Sequence, residues 1–300
     1  MKKVCKLFLV LLIALVVFGC SSNGGNTPIK SKKIIEDVDL MKFHFEAPET
    51  YDSVDRYCDY LADGSLHEKD INIYFSNDDS ISFAYMPNVD LNDLTDTSGL
   101  DKIEHDGKDI YLIESSDGKY GFVQIDNDLY GISCQITDEN NPSFDQIVEG
   151  IKYTDNSELI LDDIDLEDIE YKFDESWNNT EYTIRNTENT EGEIIEKQVM
   201  WYFGKDKDNT DFRFMIRIHK NQKLEDVLNE DNEYIDKEVA GIQYKALKTD
   251  EENEYVYYTE HNNDVYEIRN AGTISLWWVN RSDESRVAFD TFLNSISFKK

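Results

Sequence analysis

"INIYF" at Ile71–Phe75 returns in altered form as "VMWYF" at Val199–Phe203, 128 positions further on (199 − 71). "FHF" at Phe43–Phe45 and "YKF" at Tyr171–Phe173 are separated by the same interval (171 − 43). "ISFAY" from Ile81 answers "FRFMI" from Phe212, at an offset of 131 (212 − 81) that a longer turn explains. The correspondence then runs on in unchanged order. "HDGKDIY" around Gly107 matches "VAGIQY" around Gly241, "KYGFV" from Lys119 matches "EYVYY" from Glu254, and "DLYGI" from Asp128 matches "DVYEI" from Asp264. Both series close alike, with "FDQIVEGIKY" from Phe144 and "FDTFLNSISF" from Phe289. A fixed order with an offset that grows only at turns is the mark of one domain written twice. The reading places a first repeat at 37–154, an acidic linker at 155–164 and a second repeat at 165–300.

Each repeat carries the two-residue alternation of strands, as in Ile71, Ile73 and Phe75, broken by turn-rich stretches such as "SNDDS" and "GKDKDNT". The period changes only at the end. Phe144, Ile147, Val148 and Ile151 fall at helical spacing, as do Phe289, Phe292, Leu293 and Ile296. Asn141 before Pro142 suits the start of the first of these helices. Short helices are expected at Leu91–Leu94, Leu224–Leu228 and Val54–Leu61. The fold class that follows is α+β: two tandem copies of a mostly antiparallel sheet flanked by helices.

With 40% hydrophobic residues, 18 Tyr and 15 Phe, the chain has material for real cores despite 31% charged residues. Its first residues belong to no core. "MKK" is followed by the apolar run Leu7–Phe18 and closed by Gly19–Cys20, a pattern too short to span a membrane comfortably. This start resembles the bacterial lipoprotein signal. The resemblance implies cleavage after residue 19, a diacylglyceryl group on the Cys20 thiol with palmitate-type acyl chains, and a flexible tether over 20–36. Phe18 is bulkier than the residue usual one place before the glycine. The implied location is the outer face of a bacterial cell membrane, with the lipid as anchor.

Removing residues 1–19 removes three lysines and no acid, so the charge becomes 27 − 63 = −36. A surface this negative repels phosphate backbones, which excludes nucleic acid as a partner.

The order of elements in each repeat is similar to the PsbP-like sandwich, the fold of photosystem PsbP proteins, Ran-binding proteins and several bacterial lipoproteins. The likeness lies in an aromatic opening strand leading to Pro48, paired long strands, a Gly-led hairpin and a closing helix before "SISFKK". It implies a fold often used for binding and seldom for catalysis, and it transfers no site residue.

Motifs for chemistry are sparse. His44, His67, His105, His219 and His261 form no metal-ligand spacing, and no nucleophile elbow or phosphate-cradling loop occurs. Asp206, Asp208 and Asp211 imitate the start of a calcium loop, but the required glycine is missing and Arg217 stands where the bidentate Glu belongs. The acidic stretch Asp162–Glu170 reads as a solvated linker. No metal and no cofactor is expected.

Arg213 and Arg217 lie on one face of their strand and are expected to pair with nearby carboxylates, an anion site being the alternative. Cys58, on a helix packed against the sheet, and Cys134, on the apolar face of its strand, form a candidate disulfide; two buried thiols are the alternative. The second copy has nine extra residues between Ile268 and Phe289 (21 against 12 in the first), and they carry "TISLWWVN". Trp277 and Trp278 are the candidate partner-binding residues, because adjacent strand residues point to opposite faces and one ring needs cover. These features together point to a non-catalytic, membrane-anchored binding or adaptor module with a protein partner. The alternative is a carrier of a small ligand or lipid in a cleft within or between the repeats.

Overall fold

The computed structural model describes residues 38–299 except 47, 49–50, 76–78, 116–117, 139–140, 155–164, 207–208, 249–255, 272, 276–277 and 281. The chain divides into two compact units. The first comprises residues up to Asp55, then Glu68–Ile160 and Asn189–Gly192; the second comprises Arg56–His67, Leu161–Glu188 and Glu193–Lys300. Each unit therefore takes in a short piece of chain from the other half of the sequence.

In chain order the first half forms β1 (Val38–Leu40), β2 (Phe43–Phe45), β3 (Ser53–Leu61), β4 (Leu66–Tyr74), β5 (Ser80–Met86), helix α1 (Leu91–Leu94), β6 (Asp101–His105), β7 (Lys108–Ser115), β8 (Gly118–Ile125), β9 (Asp128–Gln135), α2 (Phe144–Gly150) and β10 (Ile151–Tyr153). The second half forms β11 (Ile169–Glu170), β12 (Asn179–Asn189), β13 (Ile194–Asp206), β14 (Asn209–His219), α3 (Leu224–Val227), β15 (Tyr234–Val239), β16 (Ile242–Leu247), β17 (Val256–His261), β18 (Asp264–Asn270), β19 (Thr273–Ser275), β20 (Trp278–Asn280), α4 (Asp283–Ser295) and β21 (Ser297–Phe298).

Antiparallel neighbours in the first unit run β4-β5-β9-β8-β7-β6, and in the second β13-β14-β18-β17-β16-β15, with β12 outside β13. The two orders are the same, element for element. In each, the helix-period segment at the end of the repeat lays its apolar residues on the sheet. Phe144, Ile147 and Val148 are buried in α2, and Ala288, Phe289, Phe292 and Leu293 in α4. The first helix starts at Ser143, which with Gln146 forms a reciprocal cap, rather than at Asn141. Gly121 marks how closely sheet and helix approach: a Cβ there would lie 2.9 Å from Ile110 Cγ2 and 3.0 Å from Phe144 Cζ.

Two expectations fail here. The fold is not α+β with flanking helices: among the described residues 56% are strand and 14% helix, and two of the four α-helices are single turns of four residues. Outside the two closing segments most apolar residues alternate, and sheet wins. Val54–Leu61 is the sharper case. Val54, Tyr57, Cys58 and Leu61 match a helix face, yet Ser53–Leu61 is strand β3. Its other reading, Cys58 and Tyr60 on one face with Asp59 on the opposite one, is an alternation that strand pairing can use.

The offset between copies is also refined. Ile71 faces Phe83 across β4–β5, and Val199 faces Ile216 across β13–β14. Phe83 therefore corresponds to Ile216, an offset of 133 (216 − 83), because the second hairpin is five residues longer than the first (133 − 128) and is irregular around Gly204.

Candidate functional site

The sheet of the second unit has one face devoted to its core. Trp201, Phe203, Phe212 and Phe214 on β13 and β14 stack with Phe173, Trp177 and Phe292, ring centroids 4.9–6.3 Å apart. Alternation sends the intervening residues to the opposite face, and there the register lines up polar side chains across seven strands. Arg185 faces Gln198, Gln198 faces Arg217, Arg217 faces Glu267, Glu267 faces Tyr258, Tyr258 faces Lys245, and Lys245 faces Asp236. Cross-strand neighbours of this kind stand about 4.5–5.5 Å apart at Cβ, close enough for ion pairs.

Glu267 is the centre of the row, with a side chain only 3% exposed. Arg269 Nη2 lies 2.5 Å from its Oε1, while Arg217 Nη1 and His219 Nε2 lie 3.6 and 3.5 Å from Oε2. Burial alone would raise its pKa, but His219 and the two guanidinium groups outweigh it and bring the carboxyl to about 2. Arg217 is also committed elsewhere: Nη2 and Nε donate to Gln198 Oε1 at 2.7 and 3.1 Å, and Nε lies 3.3 Å from Glu196 Oε1. His219 Nδ1 is 3.7 Å from Glu196 Oε2. Two carboxylates and two guanidinium groups thus neutralise one another around the buried Glu267, with the His219 ring beside them.

Arg217 accordingly pairs with carboxylates as expected, and Arg213 has a backbone carbonyl and an aromatic ring among its partners. It is 7% exposed, donates from Nη2 to Ala271 O at 2.9 Å, and lies 5.8 Å from the centre of the Tyr202 ring. Burial lowers its pKa.

The first unit fills the same row differently. Asp70 faces Ala84, Ala84 faces Gly131, and Gly131 faces Phe122. The Arg217–Glu267 pair therefore stands where the first unit has Ala84 and Gly131. A Cβ on Gly131 would meet Ala84 Cβ at 3.3 Å and Phe122 Cε1 at 3.7 Å, so the Phe122 ring lies over the glycine. Met86, Leu91 and Leu129 complete an apolar patch beneath α1. Sequence reasoning missed Glu196 and Glu267, although the signal was in plain view: "DLYGI" became "DVYEI", a glycine exchanged for a glutamate on a buried strand.

The other sequence candidates are dispersed. Cys58 and Cys134 are both buried and form no disulfide, Cys58 in the core of the second unit and Cys134 in the first unit. Trp277 lies outside the described residues. Trp278 opens β20, which pairs with β19 as a short antiparallel hairpin, Ser275 facing Trp278. Cys20 lies outside the described residues, as does Asp208. The acidic stretch before β11 is not simply solvated where it is described. Lys197 Nζ bridges Asp165 and Glu167 at 2.8 and 2.9 Å, and Lys220 Nζ bridges Glu167 and Asp264 at 2.9 and 2.6 Å. Of the histidines, His44 pairs with Asp39 at 2.6 Å, His105 Nε2 donates to Ile151 O at 2.8 Å, and His261 stacks on Phe298. Among the described residues no group of three or more His, Cys, Asp or Glu is arranged to hold a metal ion, and no helix is long and apolar enough to cross a membrane.

No family model matches the chain, and no curated protein matches it. Among solved structures, the immunity protein TplEi of a type VI secretion system from Pseudomonas aeruginosa, complexed with an "L" peptide, aligns over 88% of this chain and 97% of its own, with 11% identity and a TM-score of 0.22. MucB in complex with MucA(peri) aligns over 83% and 94%, with 8% identity and a TM-score of 0.20.

Proposed function

We propose that the protein is a lipid-anchored module outside the cytoplasmic membrane that binds a protein partner and performs no catalysis. The observation that carries the anchor is the sequence "VFGC" closing a short apolar run, followed by a polar tether. Two acyl chains give stable attachment where one is marginal. In favour of binding without catalysis is the state of the most conspicuous polar cluster. A carboxylate held near pKa 2 is a poor general base, and Arg217 already serves Gln198, Glu196 and Glu267. Such a cluster fixes structure. The partner site is assigned to the insertion that the second repeat has over the first in sequence, with Trp277 and Trp278 as its anchors.

The test has two arms. Cys20→Ala is expected to lose membrane partitioning and to keep residues 1–19, read as an increase in mass; a variant that stays in the membrane fraction at the wild-type mass defeats the anchor. Crosslinking on intact cells should then recover one partner with the wild type and lose it with Trp277→Ala or Trp278→Ala at unchanged melting temperature. If both variants are destabilised by the roughly 3–5 kcal/mol of a buried aromatic, the pair belongs to a core and the partner site lies elsewhere.

A further inference from the structure

The outermost strand of the first unit is β6, "DKIEH", which pairs with β7 alone among the described strands. Asp101, Lys102 and Glu104 are exposed, and Ile103 and His105 half-buried. Open edges are hazards that folded proteins manage, commonly with charge. Here the charges have an order.

The turn between β6 and β7 is Asp106–Gly107, both at positive φ (47° and 74°), the two-residue geometry that closes His105 and Lys108 as a hydrogen-bonded pair. Alternation then turns the backbone N–H and C=O of Lys102 and Glu104 away from β7, toward the open edge. A second strand added there must pair through those residues. For two antiparallel copies of β6, only three registers centred on the strand satisfy this. One sets Lys102 against Lys102, and one sets Glu104 against Glu104. The third sets Lys102 against Glu104 of the other copy twice, Ile103 against Ile103 between them, and Asp101 against His105 at both ends. In that register each Lys102 faces a Glu104, and no like charges stand opposite. Lys102 Nζ holds Asp109 at 2.5 Å and is still 54% exposed, so it has room for a second carboxylate.

The corresponding edge of the second unit has the contrary property. Val239 and Ile242 close β15 and β16 across Ala240–Gly241, which turns the backbone groups of Asp236 and Glu238 outward. The registers that pair five residues of β15 with its copy set Asp236 against Asp236, or Asp236 against Glu238 with Lys237 against Lys237. Like charges directly opposite destabilise a sheet pair.

We infer that the protein joins a second copy of itself through β6, edge to edge and antiparallel, about a twofold axis through Ile103. The pairing uses one surface on both copies, so it closes at two. An interface of one short strand is small, and the dimer is therefore weak and concentration-dependent. Charges that would repel most foreign strands admit this one. The inference stands independently of the lipid anchor.

The test is sedimentation of the chain lacking only its first 20 residues, over a wide concentration range, for wild type, Lys102→Glu and Glu104→Lys. Wild type should move from monomer to dimer. Each variant sets like charges opposite in the pairing register, and its dimer should weaken at least about tenfold. An equimolar mixture of the two variants restores opposite charges at both positions and should give a heterodimer. That recovery separates pairing from misfolding, because a misfolded variant is not rescued by another. A wild type monomeric throughout, variants that dimerise like wild type, a mixture that stays monomeric, or growth beyond the dimer overturns the proposal.

Discussion

Glu267 shows how much one position can carry. Its carboxylate sits behind Arg269, Arg217 and His219 at 2.5–3.6 Å, so removing it takes one counter-charge from each guanidinium group at a buried position. Glu267→Ala is expected to cost about 1.5–3 kcal/mol in urea unfolding, the range for losing a charged hydrogen-bond partner, because Arg269 and Arg217 keep access to water. The pH dependence follows from the direction of its shift. The folded pKa, about 2, lies below the unfolded value of about 4.3. Its contribution is complete above the unfolded value and disappears as pH falls toward 2. In Glu267→Ala, the loss of stability between those limits should be shallower than in wild type. Asp79 plays a comparable part in the first unit. Although burial raises its pKa, hydrogen bonds from the backbone N–H groups of Thr137 and Asp138, the Thr137 hydroxyl and the Asn141 amide hold it below the ordinary range. Asp79→Ala should cost about 1.5–3 kcal/mol by the same measurement, and a variant as stable as wild type would deny the carboxylate that role.

At the scale of elements, the exchanged segment Arg56–His67 has the clearest consequence. Cys58 and Tyr60 of β3 belong to the core of the second unit, where Tyr60 stacks on Tyr182 at 5.0 Å and Ala62 N donates to Thr180 O at 3.0 Å. A fragment of residues 165–300 lacks that segment. It should bind a hydrophobic dye and melt well below the full chain, and a fragment as stable as the full chain would show that β3 adds nothing to this core. The same burial predicts thiol chemistry. Cys58 and Cys134 should resist modification in the native chain and both react after unfolding without reductant; recovery of no reactive thiol would mean a bridge.

At the scale of the molecule, the two units build equivalent joints from the same pair of residue types. Asn88 and Asn221, at φ 57° and 55°, donate their backbone N–H groups to Asp128 Oδ1 and Asp264 Oδ1 at 3.0 and 2.8 Å. The left-handed turn after the third long strand is therefore tied to the start of the same hairpin strand in each unit. Asp128 and Asp264 lie in the repeated "DLYGI" and "DVYEI", so these joints were legible as a match. Their role was not, since nothing local joins Asn88 to an aspartate 40 residues away.

The amino-acid sequence by itself determined most strands of each repeat, the order in which they recur, the two closing helices and the acidic charge. These are local properties, set by periodicity and composition within a few residues. Only the tertiary structure decided that Val54–Leu61 is strand, that the chain's two halves exchange short segments, and that Glu196, Arg217, His219 and Glu267 meet. Each depends on which strand lies beside which, a choice made by burial and pairing between residues far apart in sequence. A pattern that fits both a helix face and a strand face, such as that around Cys58, contains no local information to choose between them. The neighbouring strand and the core that Tyr60 enters make that choice.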